Sequence, residues 1–204
     1  MHEAMIEAVF WDLGGVIVRT EDRTKRERWE QRLGMEPRQL DRLIFGGEMG
    51  RKASRGEIHA HEVWEWVRQE LDLSQEEGQQ LTRDFWQGDD LDPELVGYIR
   101  GLRAQFQTGL ISNAWLELRE QLVRHWRIDD AFDDLVISAE VGLRKPDPAI
   151  YRLALDRLEV RADRAIFVDD LENNISAAAE IGMHAVLFRS RNQAIAEVDR
   201  LIGN

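Results

Sequence analysis

The sequence predicts an α/β protein built on a doubly wound parallel sheet. Three observations carry this. Five apolar, strand-like segments recur along the 204 residues, at Ile6–Trp11, Gln107–Ile111, Asp134–Ser138, Ala165–Val168 and His184–Phe188. Helical patterns separate them, and alternation of this kind places helices over both faces of a parallel sheet. Several of these segments end in polar groups, and in open α/β sheets ligands bind beyond the carboxyl ends of strands.

The first segment sets the theme. Ala8-Val9-Phe10-Trp11 is a short buried strand by composition, and Asp12 stands at its end, followed by Leu13-Gly14-Gly15. A carboxylate at the mouth of an apolar strand is costly to bury unless it is solvated or used. The glycines permit a sharp turn and close approach to a ligand. Alone, Asp12 also reads as an aspartate that opens a turn.

The long stretch from Arg19 to about Leu91 shows no good strand and several helix signals. Glu21–Leu33 ends at Gly34, a C-cap glycine. Pro37–Phe45 is a short helix running into Gly46-Gly47. Gly46–Gly56, with Met49, Arg51, Lys52 and Arg55, reads as a flexible basic loop, its charges either solvated or able to reach a substrate. Within Gly56–Leu71, Ala60, Trp64, Val67 and Leu71 line one apolar face. Ser74 and Glu77 form a capping box for a helix to about Trp86. His59 and His61, two apart, are expected on different sides of a helix and lack the spacing of a helical zinc pair.

Three later segments repeat the design of the first. Leu110-Ile111 leads into Ser112-Asn113, which also suits the N-cap of a helix over Ala114–Trp126. Gly142-Leu143-Arg144-Lys145-Pro146-Asp147-Pro148 puts Lys145 beside a helix start, with Asp147 as N-cap and Pro148 just inside. Arg144 is a candidate for touching an anion or the helical insertion. Ile166-Phe167-Val168 ends in Asp169-Asp170, which could cap the next helix. Trp115, just after Ser112-Asn113, could line a pocket. The final helix spans about Asn192–Leu201.

These four segments, in this order, resemble the four motifs of the haloacid dehalogenase (HAD) superfamily, from about Ile6 to Phe188. The resemblance implies a Rossmann-like core at 1–18 and 92–204 and an all-helical cap at 19–91. It implies that Asp12 is a nucleophile and a Mg²⁺ ligand, with the Gly14 carbonyl and Asp170 as further ligands and Asp169 one shell out. Lys145 would pair with substrate phosphate and hold Asp12 ionised. Ser112 and the Asn113 amide would donate to phosphoryl oxygens. These groups lie 100, 33 and 25 residues apart in succession and meet only through folding.

The sequence departs from the superfamily pattern at Gly14. Phosphatases of this family usually carry a second aspartate there as general acid, worth about 10²–10⁴-fold. Three readings follow. A Mg²⁺-dependent phosphohydrolase could act on a small phosphorylated metabolite, such as a sugar phosphate, whose leaving group needs little protonation. Gly56-Glu57-Ile58 and Arg144-Lys145-Pro146 resemble a glucose-1-phosphatase-like branch with glycine at this position. A 2-haloacid dehalogenase expels halide without a proton and uses no metal. A weakly active or inactive phosphate binder needs no acid at all.

Composition bounds the partners. Hydrophobic residues make up 43% of the chain, enough for a core, and a formal net charge of −12 disfavours nucleic acid and anionic membrane. With no cysteine, thiolate nucleophiles and thiolate metal sites are excluded. No apolar run reaches the roughly 18 residues of a membrane span. Met1–Met5 lacks a basic leader segment, so the expected location is cytoplasmic.

Overall fold

The computed structural model describes residues 5–203. Met1–Ala4, on which the leader reading rests, lie outside the described residues. Five strands form a parallel sheet: β1 (Ala8–Trp11), β4 (Gln107–Ser112), β5 (Asp134–Ile137), β6 (Ala165–Asp169) and β7 (His184–Leu187). Their order is β5-β4-β1-β6-β7, so β1 is central with β4 and β6 on its two sides. The strand order reverses at β1, and the ends of β1, β4 and β6 therefore share one rim.

Alternation within β1 explains why its four residues are all apolar. Val9 and Trp11 point into one hydrophobic layer, and Ala8 and Phe10 into the other. Strands buried on both faces read as continuous apolar runs for this reason. Gly109 on β4 faces Phe10 across the sheet, and a Cβ there would lie 2.4 Å from the Phe10 ring. The first layer is closed by α6 (Pro93–Leu102) and α11 (Arg191–Ile202), the second by α9 (Pro148–Leu158) and α10 (Glu172–Glu180).

Between β1 and α6 the chain makes a helical unit with its own apolar centre. Its elements are α1 (Thr24–Arg32), α2 (Gln39–Asp41) continuing as a π-helical turn over Arg42–Gly46, α3 (Glu48–Ala53), α4 (Ala60–Glu70) and α5 (Gln75–Trp86). Trp29, Leu40, Ile44, Val63, Val67, Leu81 and Phe85 fill the centre. Val63 and Val67 are wholly buried, while Ala60, Trp64 and Leu71 form the margins of the stripe. The Ser74–Glu77 capping box is present at the start of α5.

Two expectations for this region are corrected. The Gly46–Gly56 segment is not an open loop, because α3 occupies its middle. Gly50 helps make this possible: a Cβ there would lie 2.0 Å from the Ile44 carbonyl oxygen. The region also contains strand. β2 (Val18–Thr20) and β3 (Asp89–Leu91) pair antiparallel, joining the two chain segments that lead into and out of the helices. Arg19 ties this ribbon to Asp92, the N-cap of α6, at 3.0 Å.

Candidate active site

Three carboxylates gather at the rim. Asp12, Asp169 and Asp170 each offer an oxygen within 4.8 Å of the others. Asp12 follows β1 directly, and its Oδ1 accepts from the Leu13 amide at 2.7 Å. The Asp12 amide itself donates to Val168 of β6 at 2.9 Å, which fixes the two strand ends together. Asp169 closes β6, and Asp170 follows it.

Lys145 enters this cluster from the loop before α9. Its ammonium lies 2.7 Å from Asp12 Oδ1 and 2.6 Å from Asp169 Oδ2. The side chain is almost fully buried and sits over the Phe167 ring. A surface lysine on a turn is thereby excluded. Asp147 caps α9 by accepting from the Ala149 amide, with Pro148 opening the helix.

Burial pushes the Asp12 carboxyl up to about 7, with Lys145 opposing and the charges of Asp169 and Asp170 adding to the rise. Asp170 is raised too, first by burial and then by Asp169. One ammonium thus faces three acids, and the rim carries excess negative charge. Hard oxygen donors of this kind suit a divalent cation such as Mg²⁺, which binds through one or two carboxylates and keeps several waters.

Asp169 has little capacity left for a metal. Besides Lys145, its oxygens accept from the Leu171 amide at 2.8 Å and from Asn174 Nδ2 at 3.0 Å. Leu171 takes the N-cap position of α10, so Asp169-Asp170 does not itself cap the helix. Asn174 is buried, and its carbonyl accepts from the Tyr151 hydroxyl at 3.0 Å. A chain of contacts thus runs from Tyr151 through Asn174 and Asp169 to Lys145 and Asp12. Asn174 escaped the sequence reading; its position five residues past Asp169, in the first turn of α10, is the signal that could have found it.

Ser112 ends β4 beside Asp12's strand and is buried. It does not start a helix. The chain runs on to α7 (Leu118–Glu120), which continues as a π-helical turn over Gln121–Trp126. Asn113 and Ser138 hold this extended stretch. The Asn113 side chain accepts from the Lys145 amide at 2.8 Å and donates to the Lys145 carbonyl at 2.9 Å. Ser138, at the start of α8 (Ser138–Val141), donates to the Ala114 carbonyl and accepts from its amide. The Asn113 side chain therefore anchors the lysine loop.

The two glycines after Asp12 differ. Gly15 has φ +82°, and a Cβ there would lie 2.4 Å from Asp170 Oδ2. Gly14 is exposed, and a Cβ there would meet nothing within 4 Å. The gap at the expected general-acid position is therefore real space.

Other candidates are resolved as packing. Trp115 is buried against the helical unit, its ring 5.8 Å from Phe45 and 6.2 Å from Trp86. His59 and His61 do not diverge: their rings stack at 5.8 Å, because His59 sits at the N-cap of α4, outside the helical repeat. His59 and the Ala60 amide both contact Glu117.

The chain matches the haloacid dehalogenase-like hydrolase family over residues 6–182, which includes every residue of the rim. It belongs to that family. Among similar proteins, bifunctional epoxide hydrolase 2 of Sus scrofa is 27% identical over 219 residues, covering 97% of this chain. The chain spans only 39% of that relative's length, and less of its rat and mouse counterparts. A D-ribitol-5-phosphate phosphatase of Bacteroides thetaiotaomicron is 29% identical over 204 residues, covering 93% of this chain and 94% of its own. Solved structures share the fold. A HAD-like hydrolase of Porphyromonas gingivalis superposes with a TM-score of 0.79 at 21% identity, covering 98% and 100% of the two chains. A HAD family enzyme of B. thetaiotaomicron, in complex with magnesium and inorganic phosphate, gives 0.72 at 19% identity, covering 89% and 93%. No helix among the described residues is long and apolar enough to cross a membrane.

Proposed function

We propose that this HAD-like hydrolase is a Mg²⁺-dependent phosphohydrolase acting on a small phosphorylated metabolite, with Asp12 as nucleophile. The observation that supports this best is the meeting of Asp12, Asp169 and Asp170 within 4.8 Å, bridged on one side by Lys145. In this reading Asp12, Asp170 and the Gly14 carbonyl hold the metal, and Asp169 acts one shell out, being occupied by Lys145 and Asn174. Bound Mg²⁺ supplies positive charge that offsets repulsion between a carboxylate and a phosphate dianion.

The chain's own groups carry the steps. Lys145 keeps Asp12 ionised and oriented. Ser112 and the Asn113 amide donate to equatorial phosphoryl oxygens, where charge concentrates during transfer. An Asp12 oxygen bonds to phosphorus as the ester P–O bond breaks. The leaving oxygen takes its proton from solvent, because Gly14 offers none. Water then attacks the aspartyl phosphate, releasing inorganic phosphate and restoring the carboxylate. Residues 1–18 and 92–204 form the catalytic core in this reading, and residues 19–91 act as a cap over the rim.

The alternatives are distinguishable. A dehalogenase needs no metal, and the surplus carboxylate Asp170 beside Asp12 argues against one. A panel of phosphorylated metabolites with Mg²⁺, run beside 2-haloacids with a chelator, decides. Mg²⁺-dependent phosphate release from at least one ester is the expected result. Chloride release that survives the chelator, or phosphate-ester binding without turnover, would overturn it.

A further inference from the structure

Arg144 stands apart from the other arginines. It is partly buried, its side chain donates no hydrogen bond among the described residues, and its Nε is buried without a partner. Every other described arginine that is not exposed has a carboxylate in reach, as with Arg19, Arg23, Arg26, Arg68, Arg164 and Arg191. In a chain with 39 acidic and 27 basic residues, carboxylates are not scarce. A buried donor left unpaired is destabilising, and more so when it is charged.

Its neighbours make the position still less comfortable. Burial, and then the charges of Arg55 and Arg51, depress the Arg144 guanidinium below its ordinary range. Both neighbours come from the helical unit. The segment carrying them is pressed onto the sheet domain at Gly56, where a Cβ would lie 2.1 Å from the Ala139 carbonyl oxygen, and where φ is +75°. Arg51 has no carboxylate partner among the described residues, and Arg55 has one, Glu57, at 2.6 Å. Like charges brought together across two parts of a fold invite an anion between them. Arg144 immediately precedes Lys145, so its Cα lies about 3.8 Å from that of the lysine at the rim.

We propose that Arg144, with Arg51 and Arg55, receives a second anionic group of the substrate, a carboxylate or a further phosphoryl group, while the first phosphoryl group sits at Asp12. This rests on the phosphohydrolase reading above and narrows its substrate class to dianionic esters carrying another negative charge. The overall charge of −12 makes such a localised cationic patch the means by which a multiply charged substrate is held.

Calorimetric titration with Mg²⁺ present tests this without turnover. The probes are 3-phosphonopropionate and its uncharged-tail isostere n-propylphosphonate, with ethane-1,2-bisphosphonate to separate a carboxylate from a second phosphoryl group. The expected result is a preference of at least about tenfold for one doubly charged probe, since a hydrogen bond to a charged group is worth about 1.5–3 kcal/mol. Arg144→Gln should bring the affinities within about twofold of each other. Arg144→Lys should keep part of the preference. Exposed Arg51, changed to Gln, gives a second variant that should narrow the preference even where Arg144→Gln misfolds. Equal affinities in the wild type would overturn the inference and leave the phosphohydrolase reading intact. An Arg144→Gln loss of all probes alike would overturn it too, assigning Arg144 to supporting Lys145. Absence of binding for every probe, with no phosphate released from any ester, would remove both.

Discussion

Residue by residue, the balance of charge at the rim governs the site. Asp12 is flanked by one ammonium and two acids, so Asp12→Asn removes the proposed nucleophile without opening a cavity. We expect phosphatase activity to vanish while the melting temperature stays close to that of the wild type. Gly14 has space for a side chain, so Gly14→Asp should be accommodated and should speed esters with poor leaving groups more than esters with good ones. General acid help of about 10²–10⁴-fold is the ceiling. Equal acceleration of all esters, read by steady-state kinetics, would refute this use of the space. Asn174 holds Asp169, which in turn holds Lys145. Loss of a group that orients the residues around a metal typically costs about 10–100-fold, and Asn174→Ala should lower magnesium affinity or turnover by that order. The rim positions of Asp12, Ser112, Lys145 and Asp170 were legible because each lies at or just past the end of an apolar strand or before a helix start. Asn174 and the side-chain role of Asn113 were not: Asn113 acts on Lys145, 32 residues away, and Asn174 meets Asp169 only because the turn into α10 folds back on the strand end.

At the scale of elements, local signals succeeded where hydrophobic pattern was strong. The five strands of the sheet run within about a residue or two of expectation, because strands covered on both faces read as short apolar runs. The β2–β3 ribbon was illegible for the opposite reason: Val-Arg-Thr and Asp-Asp-Leu carry no apolar alternation, and their pairing is set by the geometry of the two connections. Helix α3 was hidden by Gly46, Gly47 and Gly50, which read as loop although tight packing against Ile44 demands one of them. The α5 capping box makes a pH prediction. The Ser74 amide, then Arg32 and the Ser74 hydroxyl, hold Glu77 down to about 2 from an ordinary 4.5. A lowered carboxylate adds stability that is full above about 4.5 and fades as pH falls toward 2. Glu77→Gln should therefore weaken the acid dependence of the melting temperature across that window, and an unchanged profile would count against it.

At the scale of the whole molecule, the sheet and the helical unit meet where Gly56 touches Ala139 and where Glu117 meets His59 and Ala60. Gly56→Ala combines a positive φ with a clash against backbone, and strained positions of this kind cost about 1–3 kcal/mol. Urea denaturation should register a loss of that size, and a neutral result would mean the two units do not press together there. If residues 19–91 act as a cap, replacing 46–56 should change the substrate profile more than it changes magnesium affinity. The run of helices between β1 and α6 was legible from its capping and apolar-face signals, although the β2–β3 ribbon at its base was not. Which side chains of the helical unit face inward was not, because that depends on how separately packed apolar centres dock.

The most direct test is phosphate release from a responsive ester, measured with and without Mg²⁺ in the wild type and in Asp12→Asn. Release that requires the metal and disappears in the variant is expected. Turnover that persists in Asp12→Asn, or that ignores removal of Mg²⁺, would contradict it.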